Sequence, residues 1–111
     1  MNIEIVIWLL FTHWVADFVF QSDWMAQNKS KSWKALLIHC GCYGGIVASM
    51  TLSPMFGLIN ALIHIPVDYV TSRINSKLWA EKKVHYFFVS VGFDQFIHFC
   101  TLLLVYKLLM G

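Results

Sequence analysis

Charge is scarce in this chain of 111 residues: only 13% are Asp, Glu, Lys or Arg, where a soluble domain carries roughly a quarter. Three cysteines cannot make a complete internal set of disulfides, and Cys40, Cys42 and Cys100 all lie in apolar runs, so they are expected to be reduced thiols. Two prolines and six glycines exclude collagen-like and low-complexity chains. A net charge of +2 is too small for a nucleic-acid surface, and no nucleic-acid partner is expected. What is abundant is apolar: 59% of the residues are hydrophobic, which places the chain in a membrane.

Apolar runs set against the roughly 20 residues needed to cross hydrocarbon give four spans, at about residues 3–20, 35–52, 55–70 and 86–110. The expectation is an all-α, four-helix transmembrane bundle forming one integral membrane domain, 1–111. Ser53-Pro54 makes a tight turn between the second and third spans. The first span starts Met-Asn-Ile-Glu, without a basic leader or a small-x-small cleavage site, and is expected to be retained. Lys29, Lys31, Lys34, Arg73, Lys77, Lys82 and Lys83 all fall in the two long loops, leaving Lys107 at the other end. Basic loops stay inside, so these loops face the cytoplasm, the termini face out, and the localisation is the inner membrane. Ile74, Leu78 and Trp79, at helical spacing among basic residues, suit an interfacial helix. Trp8, Trp24, Trp33 and Trp79 sit where aromatic belts form.

Polar residues inside the spans stand out, because a charged side chain at the bilayer centre costs on the order of 2.5 to 3.5 kcal/mol. Asp17, Asp68 and Asp94 lie there, as do His13, His39, His64 and His98, whereas His85 falls in a loop. His13 and Asp17, His64 and Asp68, and Asp94 and His98 are each four apart, hence on one helix face. At 1.5 Å per residue from the cytoplasmic ends, Asp68, Asp17 and His39 lie about 3 to 6 Å in, His13 and His64 about 10 Å, Asp94 about 12 Å and His98 about 18 Å. The inverted order on the fourth helix keeps Asp nearer the cytoplasm than His throughout.

Four imidazoles and three carboxylates in one layer predict a buried divalent-metal site with His13, Asp17, His39, His64, Asp68, Asp94 and His98 as ligands. The inventory exceeds one tetrahedral set and suits two ions sharing an Asp, with zinc, manganese and iron equally compatible. Gln21, Tyr43 and Asn60, each four residues from a ligand, are expected to brace the set, with Gln95 beside Asp94. Pro66 should kink the third span and free the Leu62 carbonyl. Gly41 and Gly45, with Cys40 and Cys42, are read as close-packing small residues, and the same G-x-x-x-G face is a candidate for homo-oligomer contact.

The residues His13-x-x-x-Asp17-Phe18, Gln21, Lys29 to Lys31, Leu37-x-His39, Tyr43, His64-x-x-x-Asp68 and Phe93-Asp94-Gln95-x-x-His98 resemble the small bacterial and phage membrane family called domain of unknown function 3307. The resemblance covers nearly the whole chain and implies a four-helix membrane protein without implying a reaction. The repeated H-x-x-x-D pairs are also similar in site chemistry to the zinc-dependent phospholipase C and P1 nuclease group, which implies phosphoester hydrolysis by analogy alone.

The expected function is an inner-membrane metal-dependent hydrolase of a phosphoester or lipid-linked substrate near the cytoplasmic leaflet. His39 and Asp94 are the candidates for catalytic proton transfer. Lys29, Lys31, Lys34 and Arg73 would gather an anionic headgroup. The alternatives are divalent-cation or proton transport or sensing through the same cluster, and a structural assembly protein whose ionic cluster fixes helix register.

Overall fold

The computed structural model describes residues 1–110, which form five α-helices and no strand. Helix α1 (Ile3–Trp14) is continued by a π-helical turn, Val15–Val19. Then come α2 (Asp23–Asn28), α3 (Trp33–Thr51), α4 (Pro54–Ala80) and α5 (Val84–Leu109).

Short polar side chains start the helices. Asn2 accepts from the Ile5 amide at 2.9 Å, and Ser22, Ser32 and Ser53 do the same for Met25, Ala35 and Phe56, satisfying amides that a helix start leaves bare. The expected Ser53-Pro54 turn is present. Leu52 ends α3 in the left-handed region at φ 55°, Ser53 caps α4, and Pro54 opens it, where a missing N–H costs nothing.

Helix α3 packs along α4, and α4 along α5, while α1 closes the bundle against α3 and α5. The α3–α4 contact is backbone-close at Gly44 and Gly57. A Cβ on Gly44 would meet the Ala61 Cβ at 2.5 Å, and one on Gly57 would collide with the Gly44 carbonyl and with Ala48. Gly44 with Ala48, and Gly57 with Ala61, are thus interlocking small-x-x-x-small pairs. The packing role expected of Gly41 and Gly45 belongs to these residues instead. Gly41 and Gly45 have nothing within 4 Å of an added Cβ, because their face of α3 points out of the bundle.

The four expected spans coincide with α1 and its π turn, α3, the first part of α4, and α5. Only α5 is long and apolar enough to cross a membrane by length and composition, with a mean hydropathy of 1.7. Helix α1 is short at 12 residues, and α3 and α4 are diluted by the polar residues they bury, including His39, Asn60, His64 and Asp68. The separate interfacial helix expected near residues 72–84 is a continuation of α4, whose helical backbone is unbroken through Pro66 to Ala80. At one end of the molecule Asn2, Thr51, Leu52 and Met110 line a common cavity, and Trp8 Nε1 donates to the Met50 carbonyl at 2.9 Å. The termini and the α3–α4 turn therefore share one end, as the loop charges imply. Cys40, Cys42 and Cys100 are free thiols.

Candidate metal centre

The polar residues of the spans converge inside the bundle. His13, His39 and His64 are each 1% exposed, Asp68 and His98 2%, Asp17 4% and Asp94 6%. Asp17 comes from the π turn, His39 from α3, His64 and Asp68 from α4, and Asp94 and His98 from α5. A π turn holds one extra residue per turn, which swings Asp17 away from the line of an ordinary i, i+4 pair with His13 and towards α3 and α4.

Four atoms make the heart of the cluster. His39 Nε2 lies 2.9 Å from Asp17 Oδ1 and 3.3 Å from Asp68 Oδ2. His64 Nε2 lies 3.4 Å from Asp17 Oδ1, 3.7 Å from Asp68 Oδ2 and 3.3 Å from His39 Nε2. These are five of the six edges of a tetrahedron. Zinc bonds of about 2.0 to 2.1 Å to nitrogen and oxygen imply tetrahedral edges of about 3.3 to 3.4 Å. Asp17 Oδ1 and Asp68 Oδ2 are buried without a partner in hydrogen-bond geometry. At most one proton fits between the two facing imidazole nitrogens, so at least one lone pair points inward.

A second group adjoins the first. Asp94 Oδ1 lies 3.0 Å from His98 Nε2, and an oxygen of Asp68 is close enough for Asp68, Asp94 and His98 to share one ion. His98 Nε2 also lacks a hydrogen-bond partner, and its ring stacks on His64 with centroids 4.0 Å apart. The count from the helix ends set His98 about 8 Å deeper than His64. The stacking brings the two rings together because α4 and α5 both extend past the ends from which their depths were counted.

His13 stands apart from these groups, with both ring nitrogens occupied. Tyr43 donates its hydroxyl to Nδ1 at 2.9 Å, and Nε2–H donates to Gln95 Oε1 at 2.7 Å, the tautomer these partners require. The Gln95 amide in turn donates to Asp94 Oδ2 at 3.1 Å, and Thr71 donates to Asp94 Oδ1 at 2.7 Å. Tyr43 also stacks on His64 at 4.1 Å. Of the expected bracing residues, Tyr43 and Gln95 do brace the cluster, Gln21 Oε1 is buried without a partner, and Asn60 turns back to the Phe56 carbonyl at 2.9 Å instead of reaching His64.

The basic residues divide. Lys29 Nζ lies 3.2 Å from Asp68 Oδ2, inside the site, where the sequence placed it with the loop cations. Lys31 lines the cavity beside the cluster and is otherwise exposed. Arg73 stacks its guanidinium 3.6 Å over the Tyr69 ring, and Lys34 is exposed. Thr71 and the contact of Lys29 with Asp68 escaped the sequence reading. The position of Thr71, three residues after Asp68 and seven after His64, is the one signal that would have found it.

A cavity of about 640 Å³ reaches the cluster at Asp17 and Asp94. Gln21, Lys29, Ser72 and Asn75 form its polar wall, and Trp79, Phe87, Phe88 and Val91 its apolar one.

Fold and site together define an all-α protein with a buried His/Asp cluster able to hold a metal ion. The chain belongs to the family described as "Protein of unknown function (DUF3307)", whose model matches residues 5–111. No curated protein and no solved structure matches it.

Proposed function

We propose that this chain is an integral inner-membrane hydrolase that uses bound divalent metal to cleave a phosphoester or similar lipid-linked bond near the cytoplasmic leaflet. The observation that carries the reading is the near-tetrahedral set of Asp17, His39, His64 and Asp68, buried and short of hydrogen-bond partners. Two imidazoles and two carboxylates at that spacing suit zinc best. Asp68, Asp94 and His98 are the ligands of a second ion, with Asp68 shared. Three protein ligands leave that ion a position open to the cavity, as catalytic sites require.

Bound ions there supply an acidified water and draw charge from the scissile oxygen. The chain's own residues do the rest. Asp94 Oδ2, oriented by the Gln95 amide, takes the proton. Tyr43 and His13 hold Gln95, and Thr71 fixes the other Asp94 oxygen. His39, buried among the ligands and off the cavity wall, serves as a ligand and not as a base.

Membrane residence is supported by the outward surface. Ile7, Phe11, Trp14, Leu58, Leu62, Phe88, Phe93, Phe96 and Leu104 are all at least 46% exposed, an apolar coat too extensive for water. The long dimension of 42 Å fits a bilayer with its headgroups, about 40 to 45 Å. In this reading four segments cross, and the Lys-rich end is cytoplasmic. Transport is disfavoured by the fully buried layer of Val47, Phe56 and Leu102, which lies along the helices between the two cavities.

Metal analysis of detergent-purified protein, paired with cleavage of a chromogenic phosphodiester, tests the proposal. Stoichiometric zinc that is lost in His64→Ala, with activity lost in Asp94→Asn while one ion is retained, is the expected result. Metal-free wild-type protein that takes up no zinc on titration would end it.

A further inference from the structure

The walls of the cavity specify more than a phosphoester. Three polar atoms on its lining, Gln21 Oε1, Ser72 Oγ and Asn75 Oδ1, are buried without a hydrogen-bond partner. Each such atom costs about 1 to 3 kcal/mol until something pairs with it. Lys29 and Lys31 supply positive charge on the same wall. Across from them stand the rings of Phe87, Phe88 and Trp79, and the last two are 62% and 59% exposed, so the apolar wall runs on into the outer surface of the bundle.

We infer that this cavity takes the head of an anionic amphiphile whose phosphate carries a free-hydroxyl group, a polyol- or sugar-phosphate lipid. The inference rests on the hydrolase reading for its site and names that site's substrate class. Hydroxyls both donate and accept, so they satisfy the two side-chain amides in either orientation as well as the serine. Other heads fail on chemistry. A trimethylammonium has no donor, an ethanolammonium would sit against Lys29 and Lys31, and a bare phosphate offers acceptors alone to groups that include acceptor oxygens. The phosphate faces the lysines, the hydroxyls meet Gln21, Ser72 and Asn75, and the chain leaves past Trp79 and Phe88. The volume of about 640 Å³ accommodates such a head with the first part of its chain.

The test compares dihexanoylphosphatidylglycerol with dihexanoylphosphatidylmethanol, which has the same charge and chains but no head hydroxyl. Titration calorimetry is run on the zinc-loaded Asp94→Asn protein in an amine-oxide detergent that carries no sugar. The glycerol lipid should bind at least about tenfold tighter, since the methyl analogue leaves the buried polar groups unpaired. Ser72→Ala/Asn75→Leu should erase that preference, while Lys29→Met should weaken both lipids alike. Equal affinity for the two lipids in the unmodified pocket overturns the hydroxyl assignment, and chainless glycerol phosphate binding as tightly as the lipid overturns the amphiphile. Cleavage by wild-type protein is read separately. A hydroxyl preference without cleavage removes the hydrolase reading alone, and equally fast cleavage of both lipids at equal affinity removes this inference alone.

Discussion

Two imidazole nitrogens 3.3 Å apart, each within 4 Å of the same two carboxylate oxygens, pose an electrostatic problem that protons solve poorly. One proton can sit between the rings, and Lys29 reaches only Asp68, so most of the charge and lone pairs in the centre is left uncompensated in a dry interior. A divalent ion answers all four atoms at once. His64→Ala removes one corner and should lower zinc affinity by 10- to 100-fold or more, read by competition with a chromophoric chelator. Retained affinity would mean that the ring only packs. Tyr43→Phe leaves the stack on His64 but takes the donor from His13, so it should cost about 0.5 to 1.5 kcal/mol in stability and slow turnover without releasing metal. Turnover unchanged from wild type would remove the Tyr43–His13–Gln95 chain from the mechanism. The residues of the cluster were legible from sequence because burying them is so costly that their spacing had to have a reason. Which nitrogen meets which oxygen was not, since that depends on partners from other helices. His13 shows the limit: its spacing from Asp17 matches the other pairs, but the π turn begins between them and leaves the ring to Tyr43 and Gln95.

At the scale of elements, the α3–α4 hairpin fixes the distance between His39 and His64. Its closeness depends on Gly44 and Gly57, whose missing side chains let backbone meet backbone. Gly57→Val should overpack the contact, destabilise the fold by about 1 to 3 kcal/mol and loosen metal binding, whereas Gly41→Val and Gly45→Val, which face open space, should be close to neutral in thermal melts. Reversed sensitivities would mean that the outward glycine face is the tight contact, in a second copy of the chain. Helix positions were legible because apolar runs and the seryl caps mark them. The glycine contact was not, because Gly41, Gly44 and Gly45 crowd one stretch, and only the helix's rotation decides which faces α4. Nor was the length of α4, since polar residues past Val70 read as a loop although they continue the helix.

For the whole molecule, polarity is arranged inside out: ionisable groups at the centre, and aromatic and aliphatic side chains on the surface. With the Lys-rich loops cytoplasmic, a cysteine at Leu52, which is 90% exposed in the α3–α4 turn, should react with an impermeant maleimide added outside intact cells. A cysteine at Lys82 should react only after lysis, both in a background with Cys40, Cys42 and Cys100 replaced by alanine. Labelling of both positions from the same side would contradict the four-segment topology. The central claim, that Asp17, His39, His64 and Asp68 together hold a zinc ion, is tested most directly by X-ray absorption at the zinc edge on purified protein. The account predicts a first shell of nitrogen and oxygen at about 2.0 to 2.1 Å, altered in His39→Ala. A shell containing sulfur at about 2.3 Å, which Cys40 beside His39 would supply, or no bound zinc at all, would contradict it.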